Sequence, residues 1–591
     1  MSRTLKLFIL FFFLCTAAAY ALFYSPESTL ENTSPVEALK ENIFAEEPEE
    51  LQYAILLEKL SDMSFPENEE GLLLLSQRED AVGYRASLTL AREYVQNGQE
   101  AEKMYEHALY LHESREVKKE FASYLRKKGR EKKAQEKYFS VLPDYNAAEA
   151  LVNMNVPPAE IGNFLYENSY YSALTNFLEP YLEKEKEASQ ELKYLYTTGL
   201  VNTGSYEKAL PYLKELVEND ENNSRVKEYY ARSLEETGEP EKALKIYETI
   251  EPRGNYARGN LLYARGDEEK AAQALARAPE EEARWWSARL FEEMGQSSEA
   301  LSLYIELARE EGNLKFDAAY RTYLLLSEKE DPRAEDFLDK LSQEPAWMHR
   351  LGNEPAFEEE ETLPQVEPSF IDRAQAYKES DRDDLGSLEI LIGEYHASAE
   401  ELFALGTWHL DRRDYFKAVR TGMELLKEHK DPKVYKLAFP RPYMEEVKEA
   451  ADDYGIDPHL LLAVMREESH FRPAVISAAD ARGLMQVMPA TARDIAERKG
   501  IEIELEELFD PQVNIRLGAF YLRSMLDSFN EDPDKALAAY NAGPNNARRW
   551  NNSPLAQKSG GFPTAVTFKE TREYINRVMN SYLTYKWLYT S

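Results

Sequence analysis

Residues 204–210 read GSYEKAL and residues 238–244 read GEPEKAL, so a Gly and the Ala five positions after it both return after 34 residues. Self-similarity at such a period predicts stacked helical hairpins. Gly turns the chain between two helices, the small Ala lets them cross closely, and each hairpin hides its apolar face on the next. Related pairs at Gly129/Ala134, Gly266/Ala271 and Gly295/Ala300 extend the pattern, and the spacings of 28 and 29 after Gly238 predict shortened hairpins. A curved solenoid is expected from about Ala81 to Glu330.

The 34-residue period is that of tetratricopeptide repeats. Composition agrees with an all-α chain: among 591 residues there are only 25 Gly against 38 Tyr, with 43% hydrophobic and 30% charged residues. That length exceeds what one hydrophobic core covers. After the repeats, Glu344-Pro345, Glu358–Glu361, Pro364 and Pro368 read as an acidic, Pro-containing linker near 343–370. Helix resumes near Asp372, and residues 414–418 (DYFKA) suggest one last hairpin. Phe439-Pro440-Arg441-Pro442 then predicts an extended connection, because the residue before Pro avoids the helical region. The expected organisation is an N-terminal segment 1–24, a tetratricopeptide-like superhelix 25–430, a linker 431–440 and a compact domain 441–591.

The net charge of -36 makes nucleic acid a poor partner, since phosphate would be repelled over most of the surface. From Arg441 onward 18 basic and 22 acidic residues leave -4, so the preceding 440 residues carry -32. Cys15 is the single cysteine, which excludes a Cys-based zinc site or an intrachain disulfide. No metal or cofactor is called for. Arg3 and Lys6 precede an apolar run from Leu7 to Tyr24, the pattern of an export signal, either cleaved near Ala17–Ala21 or kept as a membrane anchor. Leu14 stands where a lipidation signal would want a small residue before Cys15. By itself, a repeat array of this kind is a surface for protein partners.

The C-terminal quarter carries the chemistry. Asp457-Pro458 supplies an N-cap and Pro at N1 for a helix reading HLLLAVMREESHF. At about 100° per residue, Leu460, Leu461, Val464 and Met465 form an apolar stripe that also contains Glu468. Glu467 is placed a quarter turn off it, towards solvent, and Arg466 roughly opposite. A carboxyl on a buried face has a raised pKa, which suits a general acid near neutral pH. A Glu at a helix end reaching for water is the plainer reading of this helix alone. In residues 477–492 (SAADARGLMQVMPATA), Gly483 permits close backbone approach, and Gln486 and Met488 alternate as a strand or loop would present them. Ala538–Pro544 reads as a helix ending at Gly543, and Thr567–Glu570 has capping-box spacing.

Taken in order, Glu468-Ser469, the GLMQ of 483–486, the AYNAG of 539–543 and the ETREY of 570–574 resemble the catalytic domain of soluble lytic murein transglycosylases. The resemblance covers about Tyr443 to Tyr585, and the preceding superhelix matches the layout of the family's large members. It implies a lysozyme-like fold, a periplasmic location and the glycan strands of peptidoglycan as substrate. Residue by residue, Glu468 matches the single catalytic acid/base, and Ser477, Gln486, Met488, Tyr540, Asn541 and Glu570 match positions lining the glycan groove. The implied reaction forms a 1,6-anhydro end with help from the muramic acid acetamido group. One departure is Asp480, where the family has Gly three residues before Gly483. Asp tolerates the left-handed conformation, or else offers a second carboxylate and with it a hydrolytic, lysozyme-type muramidase. A non-catalytic peptidoglycan-binding scaffold is the other alternative. Arg482, Lys499, Arg548 and Arg549 add positive charge that could meet peptide carboxylates.

Overall fold

The computed structural model describes residues 37, 39–40, 43–44, 47–184, 189–342, 344–353, 363–500, 502–557 and 561–590. The apolar run Leu7–Tyr24 and the acidic run Glu358–Glu361 lie outside the described residues. Helices follow one another from Glu49–Ser61 to Lys569–Thr590, and two isolated bridges, Ile476 to Arg482 and Arg482 to Val487, are the β pairing present among the described residues. No described helix is long and apolar enough to cross a membrane.

The repeat reading accounts for the hairpins. Gly204 ends the helix Gln190–Asn202 with φ 76° and Gly238 ends Ser224–Glu236 with φ 89°. A Cβ at Gly238 would meet nothing, so it is the backbone conformation that asks for glycine there. Ala209, Ala243, Ala271 and Ala300 have no exposed surface, as close helix crossings require. Each of these helices packs mainly on its neighbours in sequence.

The chain divides into two compact units. One joins the residues up to Val117 to Phe370–Gly393. Its buried Glu389 binds both segments, accepting from the Ala81 N–H (2.9 Å) and from Arg373 Nε (2.8 Å). The other unit joins Lys118–Ser369 to Glu394–Ser591, so most of the solenoid and the whole C-terminal domain share it. Their seam is polar and directional. Arg350 forks onto Asp534 (2.7 and 2.8 Å) and reaches Asn576, Arg572 pairs with Glu282 (3.1 Å), and Arg289 donates to the Ala565 carbonyl (3.0 Å). Bidentate arginine contacts of this kind fix orientation as well as adding energy.

Entry to the C-terminal domain is more ordered than an extended connection. Residues Pro432–Ala438 form a short helix capped by the buried Asp431, which also accepts the Leu363 N–H (2.7 Å). Tyr589 and Tyr585 on the last helix bond the carbonyls of Phe439 and Pro440, both at 2.9 Å. Helix starts in this domain repeat one device: Asp457, Asp510 and Asp532 each cap a helix whose first residue is Pro. The Asp oxygen takes an orphan N–H of the first turn, and Pro has none to leave unpaired.

Candidate active site

The helix Pro458–Ser469 runs through the middle of the C-terminal domain, and every residue from Leu460 to Met465 is buried. It stops abruptly, with His470 (φ 46°) and Phe471 (φ 62°) both left-handed. Two consecutive non-glycine residues in that region cost energy that the surroundings must offset. Ser469 fixes the stop: its hydroxyl is fully buried and lies 2.8 Å from the Leu484 carbonyl and 3.0 Å from that of Met465. Glu468 is therefore held at a rigid helix end against the 483–486 turn.

Tyr574 OH donates to Glu468 Oε1 at 2.6 Å. Burial pushes the Glu468 carboxyl up to about 7, with the nearby charges of Glu467 and Glu570 adding to the rise, while the Tyr574 hydrogen bond and Arg577 oppose it. A carboxylic acid half protonated at neutral pH can both give and take a proton. Tyr574 itself is held far above its ordinary range by burial and by Glu468, so it stays a neutral donor.

The opposite wall is a knot of turns, so of the strand or loop that Gln486 and Met488 suggested it is the loop that forms. Arg482 and Val487 exchange backbone bonds (3.1 and 3.0 Å), and Gly483 N–H reaches the Val475 carbonyl (3.0 Å). Gly483 has φ 76°, and a Cβ there would lie 2.2 Å from the Leu508 carbonyl oxygen and 2.3 Å from Asn514 Nδ2. Glycine is thus required twice over. Asn514, fully buried, braces the turn with three bonds: it accepts the Met485 N–H (2.8 Å) and donates to the carbonyls of Arg482 (2.9 Å) and Leu508 (2.7 Å). Gln486 is left-handed (φ 48°), with its amide on the Gly483 carbonyl (2.8 Å), and Met488 is exposed.

Other candidates gather around the same turn. Tyr540 OH donates to the Met485 carbonyl (2.7 Å), and Glu468 is among the charges that raise its pKa, after burial. Asn541 accepts the Thr571 hydroxyl (2.7 Å), which ties the helix Pro533–Ala542 to Lys569–Thr590 one turn before Tyr574. Glu570 is exposed on that helix, and the Thr567 hydroxyl accepts the Trp550 indole N–H (2.8 Å). Ser477 accepts the N–H groups of Ala479 (3.2 Å) and Ala481 (3.0 Å), shaping the turn that holds Asp480. Asp480 is left-handed (φ 68°), and its exposed carboxylate accepts from Arg482 Nε (3.0 Å). It serves as a turn residue and salt-bridge partner.

Two sequence expectations fail at this helix. Arg466 is buried, stacked 4.1 Å from the Phe439 ring centroid and bonded to the Ala438 carbonyl (3.0 Å). The Glu467 side chain is buried as well, paired with Arg466, bonded by the Ser581 hydroxyl (2.7 Å) and approached by Arg577 (3.4 Å). The helix is covered on its far side by the connection and the last helix, so both charges are enclosed and neutralise each other. Ser469 and Tyr574 stood in the sequence reading only as members of motifs, with no role of their own, and Asn514 was absent from it. For Tyr574 the signal was its place in the ETREY segment, whereas a lone Asn in an apolar helix gives none.

The family model of the transglycosylase SLT domain matches residues 445–560, and that of the tetratricopeptide repeat matches 200–255. A soluble lytic murein transglycosylase of Escherichia coli is 26% identical over 331 residues, 54% of this chain and 47% of that protein. One from Salmonella typhimurium is 33% identical over 144 residues, 24% of this chain and 22% of its own. The chain thus spans less than half the length of these curated relatives. Among solved structures, the lytic transglycosylase Slt inactive mutant from Pseudomonas aeruginosa superposes with a TM-score of 0.54 at 20% identity, covering 94% of each chain. That likeness is one of fold, and it agrees with an all-α chain in which a tetratricopeptide-like superhelix precedes a lysozyme-like, mainly helical domain.

Proposed function

We propose that this chain is a lytic transglycosylase of peptidoglycan, cleaving the β-1,4 bond between N-acetylmuramic acid and N-acetylglucosamine. The observation that carries the reading is Glu468, a carboxyl pushed up to about 7 at a rigid helix end, bonded by a neutral tyrosine hydroxyl. The matched SLT domain and the names of the relatives support the same reaction class.

In this reading Glu468 protonates the glycosidic oxygen as the bond to the muramic C1 breaks, and the sugar's own acetamido oxygen holds C1. The carboxylate then takes the proton of the C6 hydroxyl as that oxygen attacks C1, which restores the acid and leaves a 1,6-anhydro ring without consuming water. One carboxyl suffices. Asp480 does not supply a second one, since it is spent on Arg482 at the surface. Ser477, Gln486, Met488, Tyr540, Asn541 and Glu570 line the glycan groove. Gln486 and Tyr540 hold its wall through backbone carbonyls, and the exposed Met488, Asn541 and Glu570 face the sugars. The apolar run after Arg3 and Lys6 exports the chain to the periplasm, as a cleaved signal or an inner-membrane anchor, and the acidic superhelix offers a surface for protein partners.

Mass analysis of purified peptidoglycan digested by the full chain tests the reaction. Products one water lighter than hydrolysed muropeptides are expected. Hydrated reducing ends would overturn the reading in favour of a muramidase, and intact glycan in favour of a scaffold.

A further inference from the structure

The core of the C-terminal domain reaches back into the last hairpin of the solenoid. Helix Tyr415–Leu425 follows a left-handed turn at Arg413 (φ 61°), and Asp414 caps it by accepting the Lys417 N–H (3.3 Å). Its fully buried Val419 lies in the same core as Leu461, Val464 and Met465 of the helix that carries Glu468. The hairpin is thus packed into the domain that it precedes.

Its first two residues meet the strained stop behind Glu468. Phe416 takes the Arg472 guanidinium over its ring, 4.3 Å from the centroid, and meets the His470 ring edge-on at 6.2 Å, while Tyr415 meets Phe471 edge-on at 6.5 Å. Arg472 Nε in turn donates to the Ser469 carbonyl (3.0 Å). That carbonyl is one of those a helix end leaves without an intrahelical partner. A planar guanidinium suits both tasks, since its edge hydrogen-bonds while an aromatic ring covers its face. Neither left-handed residue is a glycine, so the conformation persists only as far as its neighbours impose it. Both of those residues have an aromatic neighbour from the solenoid hairpin.

We propose that Phe416 is a positioning residue for the acid Glu468: stacked on Arg472, it holds the stop at His470 and Phe471 and so keeps the Glu468 carboxyl aimed into the cleft. The proposal rests on the transglycosylase reading for what the acid does, and on the packing alone for how the acid is held. The hairpin then contributes to turnover without touching substrate. The lever is short, because Glu468 stands two residues before His470, and a displacement of about 1 Å at a reacting group can cost about 10²-fold in rate.

The test compares full-length F416A, F416Y and R472K with the parent in two measurements: steady-state release of products from soluble, uncrosslinked peptidoglycan strands, and hydrogen exchange of the segment 470–472. F416A should lower kcat about 10- to 100-fold and leave KM within about twofold. It should also speed exchange at His470 and Arg472, whose N–H groups bond the carbonyls of Arg466 (2.9 Å) and Ser469 (3.2 Å). F416Y keeps the ring and should restore both readouts. R472K keeps the charge but loses the planar fork, so it should resemble F416A. Arg472 is exposed, so R472K keeps the test open should F416A disturb the core. A raised KM with kcat unchanged would make Phe416 a substrate contact and overturn the proposal. Faster exchange without loss of kcat, or an R472K that behaves as the parent, would overturn it as well. A parent that releases hydrated products, slowed in F416A with KM kept, would uphold the clamp and sink the transglycosylase reading. Anhydro products released by F416A at the parent's rate would do the reverse.

Discussion

Glu292 in the solenoid and Glu468 at the cleft both sit in buried surroundings and both accept a tyrosine hydroxyl, from Tyr304 at 3.1 Å and from Tyr574 at 2.6 Å. They differ in the cation beside them. Glu292 also holds the buried guanidinium of Arg321 in an ion pair. No cation among the described residues hydrogen-bonds Glu468; Arg577 acts on it from a distance and is opposed by Glu467 and Glu570. A buried carboxyl given a cation becomes structure, and one given only a hydroxyl keeps a proton to exchange.

The largest break in that contrast is E468Q. Gln keeps the size and the hydrogen bond to Tyr574 but cannot carry a proton, and general acid/base catalysis is worth roughly 10²–10⁴-fold. Release of anhydro products should fall by that factor, with strand binding retained. Activity within about tenfold of the parent would remove Glu468 from the chemistry. The counterpart in the solenoid is E292A, which strands Arg321 as an unpaired buried charge. Such a cut costs about 3–5 kcal/mol, to be read as a lower urea midpoint. An unchanged midpoint would mean that the pair is not what holds the Trp285 to Tyr320 core together.

The third comparison combines stability with pH. Glu468 titrates near 7 in the folded chain against an ordinary value of 4.5, so the native state holds a proton that the unfolded chain gives up. Stability therefore falls as pH rises through that window, and it is fully present below about 4.5. The shift corresponds to about 3 kcal/mol at ~1.36 kcal/mol per unit. E468Q escapes this loss, so its melting temperature should match the parent near pH 4.5 and exceed it above pH 7. Parallel curves over the whole range would contradict the burial assigned to Glu468.

The repeats were legible in the sequence because they rest on local geometry. A left-handed turn admits Gly, a close crossing admits Ala, and both requirements recur at a fixed period. For Glu468 the helix face pointed to burial while the helix end pointed to water, and the order of the motifs rather than this helix alone singled the residue out. The same arithmetic misplaced Arg466 and Glu467, since it assumes that a helix has one wet side. Here Phe439, Ala438 and Ser581 cover the far side, and two charges become compatible with burial by meeting each other. Asn514 shows a further limit. Two of its three bonds go to backbone groups 29 and 32 residues away and the third to Leu508, six residues before it, so no short residue pattern records them together.

The smallest effect should come from Y574F, which tests whether the tyrosine tunes the proton or merely fills space. Its hydroxyl donates to the carboxylate and so favours the charged form of Glu468, pulling against burial. Removing a hydrogen bond of this kind is worth about 0.5–1.5 kcal/mol, or up to about one pKa unit. Glu468 should then stay protonated to higher pH, and the descending limb of kcat/KM, which reports the free enzyme's essential acid, should move up from about 7 by half a unit to one unit. Phe retains the ring packing, so the melting temperature at pH 5, where Glu468 is protonated with or without the hydroxyl, should change little. A limb that moves down, or one that stays in place while activity drops, would assign Tyr574 to packing and leave burial as the sole tuner of Glu468.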